Sequence, residues 1–132
     1  MTIVAVLIGG VLGTALRLGL DAVLPHSDDA VPVSTLIINT AGSFALALLV
    51  ARLWPVAPHW LRFGLGTGLL GSFTTFSAVA VSLLTLTRAG MPGIAALYLV
   101  ATLAAGLAAA LLGLRVGHRP GAAAAPQIAP DE

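Results

Sequence analysis

Asn39 is the one amide side chain inside any apolar run of this sequence. Its two N–H donors and its acceptor need partners in a place without bulk water, so it acts either as a bridge between helices or as a group that handles a ligand. Gly42 and Ser43, three and four residues on, lie on nearly the same helix face and keep it narrow and polar. A second concentration of polar chemistry follows. Gly64, Gly66, Gly68 and Gly71 lead into Ser72-Phe73-Thr74-Thr75-Phe76-Ser77 near the middle of an uncharged apolar run. A regular helix is poor there. Non-helical backbone at membrane depth is tolerated where protein or a cavity satisfies it, and broken helices at the midplane aim carbonyls at cations. The alternative is an intact helix whose hydroxyls bond back to their own turn. Tyr98 and Thr102, at i,i+4, form a hydroxyl ladder with Gly106 one turn further; the plainer reading is a buried tyrosine that has found a partner. Arg17 sits inside the first apolar run, where an ionisable group is costly and turns toward a partner or a water-filled cavity. Asp21 shares its face at i,i+4, so a paired or snorkelling arginine near the helix end is the competing reading.

Other chemistries lack their parts. His26, His59 and His118 fall in loops or the tail with no second ligand at useful spacing, which argues against metal or acid–base roles. Asp28-Asp29 reads as a solvated turn. With no cysteine there is no disulfide, thiolate or Cys-ligated metal. The chain has no Gly-rich phosphate loop followed by Lys, no Ser-His-Asp set within the membrane and no carboxylate dyad, so the sequence predicts that it is not an enzyme. A formal net charge of +1 supplies no basic surface for nucleic acid.

The elements that position these residues follow from composition. The 132 residues are 58% hydrophobic and 8% charged, with a mean hydropathy of +1.04, far from ordinary soluble usage. A hydrocarbon core about 30 Å thick takes about 20 apolar residues per crossing. The expected fold is therefore an all-α membrane protein with four transmembrane helices at about 3–24, 33–53, 63–87 and 93–114, the third broken near the midplane. The first run lacks a basic leader and a clear cleavage site, so it reads as a retained helix. Trp54 and Trp60 read as interfacial anchors flanking a tight turn around Pro55 and Pro58. Residues 117–132, rich in Gly, Ala and Pro, are expected to be a disordered tail. Arg52, Arg62, Arg115 and Arg119 fall on one side of such a topology and Arg88 alone on the other, which predicts cytoplasmic termini.

Taken together, these motifs resemble the Fluc family of fluoride channels, also called CrcB. The resemblance rests on Gly9-Gly10, Gly13 and Arg17 in the first helix; Thr35, Asn39 and Gly42-Ser43-Phe44 in the second; Gly68, Gly71 and Thr74-Thr75-Phe76-Ser77 in the third; and Tyr98, Thr102 and Gly106 in the fourth. It implies a small four-helix subunit of an antiparallel, dual-topology-type dimer in a prokaryotic plasma membrane, with two narrow fluoride pores around a central structural Na+ that is not transported. Position by position, the backbone carbonyls of Gly71 and Thr74 would face the sodium, two from each subunit. Asn39 would offer amide N–H groups to fluoride and Phe76 the positive edge of its ring. Tyr98 with Thr102 would supply a hydroxyl track, and Arg17 would attract anions or hold structure. Two positions depart from the family pattern. Its usual Phe-Ser-Thr-Phe run reads Phe76-Ser77-Ala78-Val79 here, and Ser82 stands where many members carry a glutamate.

The function expected from the resemblance is a fluoride-selective channel subunit that lowers cytoplasmic fluoride by passive efflux. Val79 and Ser82 keep open an alternative: a non-conducting or partly conducting structural subunit of a heterodimeric channel. The Arg bias points the same way, because a fixed orientation asks for a partner inserted oppositely, and that partner would supply the aromatic edge missing at Val79. A proton-coupled exporter would need an intramembrane acid, and Asp21, near a helix end and beside Arg17, is the sole candidate.

Overall fold

A computed structural model describes residues 1–24 and 31–118, and these contain only helices and turns. Four helical stretches are long and apolar enough to span a bilayer: Thr2–Val23, Val33–Arg52, His59–Arg88 and Pro92–Gly117. The first, second and fourth are single helices, α1 (Thr2–Val23), α2 (Val33–Arg52) and α6 (Pro92–Gly117). The third is composite: α3 (His59–Phe63), a π-helical segment (Gly64–Leu70), the single turn α4 (Gly71–Phe73) and, after a break, α5 (Phe76–Arg88). The expected tail lies outside the described residues from 119 onward, as do His26, Asp28 and Asp29 in the first connection. The helix α6 continues to Gly117, which is buried, because Gly117 packs against Ala51 of α2.

The connections carry the turn chemistry their residues suggest. Between α2 and α3 the amides of Val56 and Ala57 return to the Leu53 carbonyl at 3.1 and 2.8 Å. There Trp60 is exposed, but Trp54 is tucked inward: its ring edge would stand 3.2 Å from a Cβ on Gly66. Between α5 and α6, Gly90 takes φ +76°, a backbone state that costs little without a Cβ. Pro92 then starts α6, where its missing N–H is no loss.

Helix pairing depends on small residues. The α1 helix lies directly on the π-helical segment, and the contact is backbone against backbone. A Cβ on Gly68 would stand 2.7 Å from the Val6 carbonyl oxygen, and one on Gly13 would overlap the Leu69 carbonyl. Gly113 of α6 meets the Phe44 carbonyl of α2 in the same manner, 2.5 Å from where its Cβ would be. Lipid offers no hydrophobic drive to bring helices together, so such close approach is the main source of association energy. Large apolar side chains instead point outward, among them Ile3, Leu7 and Val11 of α1 and Leu97, Leu103 and Leu107 of α6. Gly13→Ala is expected to destabilise the chain by about 1–3 kcal/mol, because a carbonyl cannot rotate away as a side chain can; thermal unfolding in detergent measures it.

Three arginines outside α1 mark the two ends. Arg52 donates from Nη2 to the Val116 carbonyl at 3.3 Å, which ties the C-terminal ends of α2 and α6 together. Arg62 donates from Nε to the Ala57 carbonyl at 2.8 Å, so it belongs to the α2–α3 turn at that same end. Arg88 closes α5 at the opposite end.

Candidate functional site

Halfway along the third span the helix opens. Thr74 (φ −81°, ψ 152°) and Thr75 (φ −147°, ψ 122°) are extended, and no helix can pass through them. The Leu70 carbonyl closes the first half by accepting both the Thr74 N–H at 3.0 Å and the Thr74 hydroxyl at 2.9 Å. Asn39, reaching across from α2, holds the gap. Its Oδ1 accepts the Thr75 N–H at 2.8 Å, while its Nδ2 donates to the Thr75 carbonyl at 2.9 Å. The pair of bonds fixes which end of the amide is which, since only Nδ2 can donate to a carbonyl. Thr75 Oγ1 then caps α5 by accepting the Ala78 N–H at 3.2 Å, and it shares a 2.9 Å hydrogen bond with Ser77 Oγ.

In an unbroken helix each N–H bonds the carbonyl four residues back. The Thr75 N–H would therefore take the Gly71 carbonyl, and the Ala78 N–H would take the Thr74 carbonyl. Both amides are bonded elsewhere. The carbonyls of Gly71 and Thr74 thus stand outside the helical ladder, and they are the two that the family resemblance assigns to a sodium ion. Neutral carbonyl oxygens are hard donors that suit an alkali cation, and Gly71 has no side chain to obstruct one. The donor set fits the ion.

Beside the break lies a groove of about 310 Å³ whose walls include Asn39, Gly71, Thr74, Phe76, Val79 and Thr102. It presents three kinds of group to a small anion. Asn39, with Oδ1 and one N–H engaged, retains a second N–H. Thr102 Oγ1 is buried with no hydrogen-bond partner among the described residues, an unusual state for a hydroxyl and one that a ligand would relieve. The ring of Phe76 is 75% exposed at the start of α5, away from the core, and its edge carries the positive part of its quadrupole.

Two further residues lie outside the groove wall. Tyr98 is not in the groove wall: it is only 3% exposed, and its hydroxyl donates to the Pro32 carbonyl at 3.3 Å. It stands one turn before Thr102 on α6. Arg17, on α1, lies outside the groove; it is partly buried, and its Nε has no hydrogen-bond partner among the described residues. Val79 is buried to 2% in a cluster with Leu86, Ala95 and Tyr98, where it packs α5 on α6 at the floor of the groove. Ser82 donates to the Ala78 carbonyl at 2.7 Å, a local bond within α5. Sequence reading missed Thr75, whose hydroxyl and backbone together organise the break. Its signal was the residue type, since threonine favours the N-cap position of a helix that restarts after it.

The family model for CrcB-like protein, Camphor Resistance (CrcB), matches residues 4–114, all four spans. A curated protein of Geobacillus kaustophilus called fluoride-specific ion channel FluC 2 is 39% identical over 86% of this chain and 90% of its own length. Proteins called fluoride-specific ion channel FluC from Paracoccus denitrificans and Thermus thermophilus are 39% and 42% identical, covering 89% and 85% of this chain and 94% and 91% of theirs. The matched residues span the helix break and Asn39, and the chain belongs to the CrcB family.

Proposed function

We propose that this chain is a subunit of a fluoride-selective ion channel that lets fluoride leave the cytoplasm passively across the plasma membrane. The relatives' names point to fluoride, and the observation that carries the reading is the groove at the break, where a free amide N–H, an unpartnered hydroxyl and an exposed ring edge meet at membrane depth. Fluoride is small and tightly hydrated, so a pore selective for it replaces water with closely spaced donors, and the cost of dehydration is offset only where donors stand ready. Asn39 meets the ion first, Phe76 supports it edge-on, and Thr102 hands it toward Tyr98. No bond is made or broken in such a passage. Arg17, inside a span with an unsatisfied Nε, raises the local anion concentration or braces α1.

The groove is open on one side in a single subunit, with Phe76 and Gly71 exposed, and this favours an antiparallel dimer in which a second copy or a related subunit closes it. Sodium bound at the two breaks would draw four carbonyl dipoles to one point and join the subunits. On this chain's side, Gly71 and Thr74 hold it. The clustering of Arg52, Arg62 and Arg115 at one end supports cytoplasmic termini. A fixed orientation, together with the valine at 79, favours a related partner of reversed bias over a second copy.

Liposomes containing this chain alone test the reading with a fluoride electrode. Fluoride efflux with little chloride flux supports the channel assignment. No efflux alone, but efflux when a related subunit is added, supports the heterodimer; no efflux in either case would overturn the assignment. A C-terminal tag accessible from one face of the membrane supports the fixed orientation, and access from both faces counts against it.

A further inference from the structure

We infer that Thr75 is a positioning residue for the cation site, acting by keeping the Thr74 carbonyl unbonded. The inference rests on the sodium reading proposed above and adds to it a residue that touches neither ion. Two amide hydrogens compete for the carbonyls in question. The Thr75 N–H is held by Asn39 Oδ1 at 2.8 Å, and the Ala78 N–H is held by Thr75 Oγ1 at 3.2 Å. The first diversion depends on another helix. The second depends only on the Thr75 hydroxyl, two bonds from the backbone that bends.

The geometry around that hydroxyl is specific. Thr75 is the residue before α5, with the extended backbone an N-cap needs. Its own carbonyl is anchored by Asn39 Nδ2 at 2.9 Å, so the side chain cannot drift from the cap position without breaking the cross-helix bond. Ser77 Oγ, 2.9 Å away, supplies or accepts the remaining hydroxyl hydrogen bond. Remove the hydroxyl and the Ala78 N–H has no acceptor at membrane depth except the carbonyl four residues back, that of Thr74. An unsatisfied N–H in hydrocarbon is costly, so the helix is driven to close over the break. A cation that needs the Thr74 carbonyl must then compete with a backbone hydrogen bond.

The test uses the full chain purified in detergent, with thermal unfolding and dimer fraction followed as sodium chloride replaces N-methylglucamine chloride. Thr75→Val keeps the shape and removes the acceptor; Thr75→Ser keeps the acceptor. The wild type and Thr75→Ser are expected to share one sodium midpoint, whereas Thr75→Val needs about tenfold more sodium, roughly the worth of one cap, and regains the wild-type melting temperature at saturation. A cap with a purely structural role would lower melting equally at every sodium concentration. An unchanged midpoint in Thr75→Val overturns the inference while leaving the cation reading intact. Absence of any sodium effect on the wild type overturns the cation reading itself, and the inference with it. Should Thr75→Val not fold, Thr75→Ala against Thr75→Asn makes the same comparison, since asparagine also caps.

Discussion

Asn39→Asp is expected to reduce fluoride efflux by at least about a hundredfold, because it replaces a donor by an acceptor at a site built around donors. One carboxylate oxygen can still accept the Thr75 N–H. The other would stand where Nδ2 now donates to the Thr75 carbonyl at 2.9 Å, setting two oxygens against each other. The remaining N–H of this groove-lining side chain is lost at the same time, and a negative charge is brought to the groove wall. Sign and pH dependence follow. A buried carboxyl resists ionisation, and its neutral form can donate to the Thr75 carbonyl again. Efflux through Asn39→Asp should therefore rise as pH falls, whereas the wild type has no such group in the groove wall. Efflux electrodes on liposomes at several pH values read both effects. Wild-type flux in Asn39→Asp would place Asn39 among the packing residues.

Gly71→Leu is expected to lower the dimer fraction at least about tenfold while leaving the subunit folded, since close backbone approach between membrane helices tolerates only small residues. Within the subunit Gly71 is exposed, and the nearest atom to an added Cβ is the Gly66 carbonyl oxygen at 3.6 Å, an ordinary contact. Any large loss must then come from what meets Gly71 from outside. Thr74→Ser is the matched mild change: it keeps the hydroxyl bonded to the Leu70 carbonyl at 2.9 Å and removes the methyl that packs on Gly42. Cross-linking in membranes separates assembly from folding, and helix content by circular dichroism checks the subunit. Equal tolerance of both substitutions would mean that nothing packs on Gly71, and the proposed cation bridge would fall with it.

How the site works depends on particulars that differ in how far sequence exposes them. Asn39 was visible as a lone amide in an apolar run, because lipid makes any such group conspicuous. Its partner was not visible. Nothing in the spacing says that both its hydrogen-bonding ends close on the backbone of Thr75, 36 residues away. Val79 shows another side of this. The family pattern marks it as a pore position without its ring, and the folded chain has it in the groove wall and packed beside Tyr98, a neighbour that no spacing announces. The glycines of Gly64–Leu70 predict a poor helix and a break but not a π-helical turn, since a wide turn differs from a regular one by a single hydrogen-bond register.

The sequence by itself determined the four spans, the break in the third and the small residues at which helices meet, because lipid penalises each unsatisfied polar group and charge so heavily that the pattern is legible one segment at a time. Which helix lies on which was decided only by the tertiary structure: α1 on the π-helical segment, α2 alongside α6, and Asn39 brought from α2 to the break. Away from the break each transmembrane helix satisfies its own backbone, and a small-residue face marks where a helix meets another without saying which, so no local pattern distinguishes its neighbours. The choice falls to how closely particular backbones can approach, and that depends on residues from two helices at once.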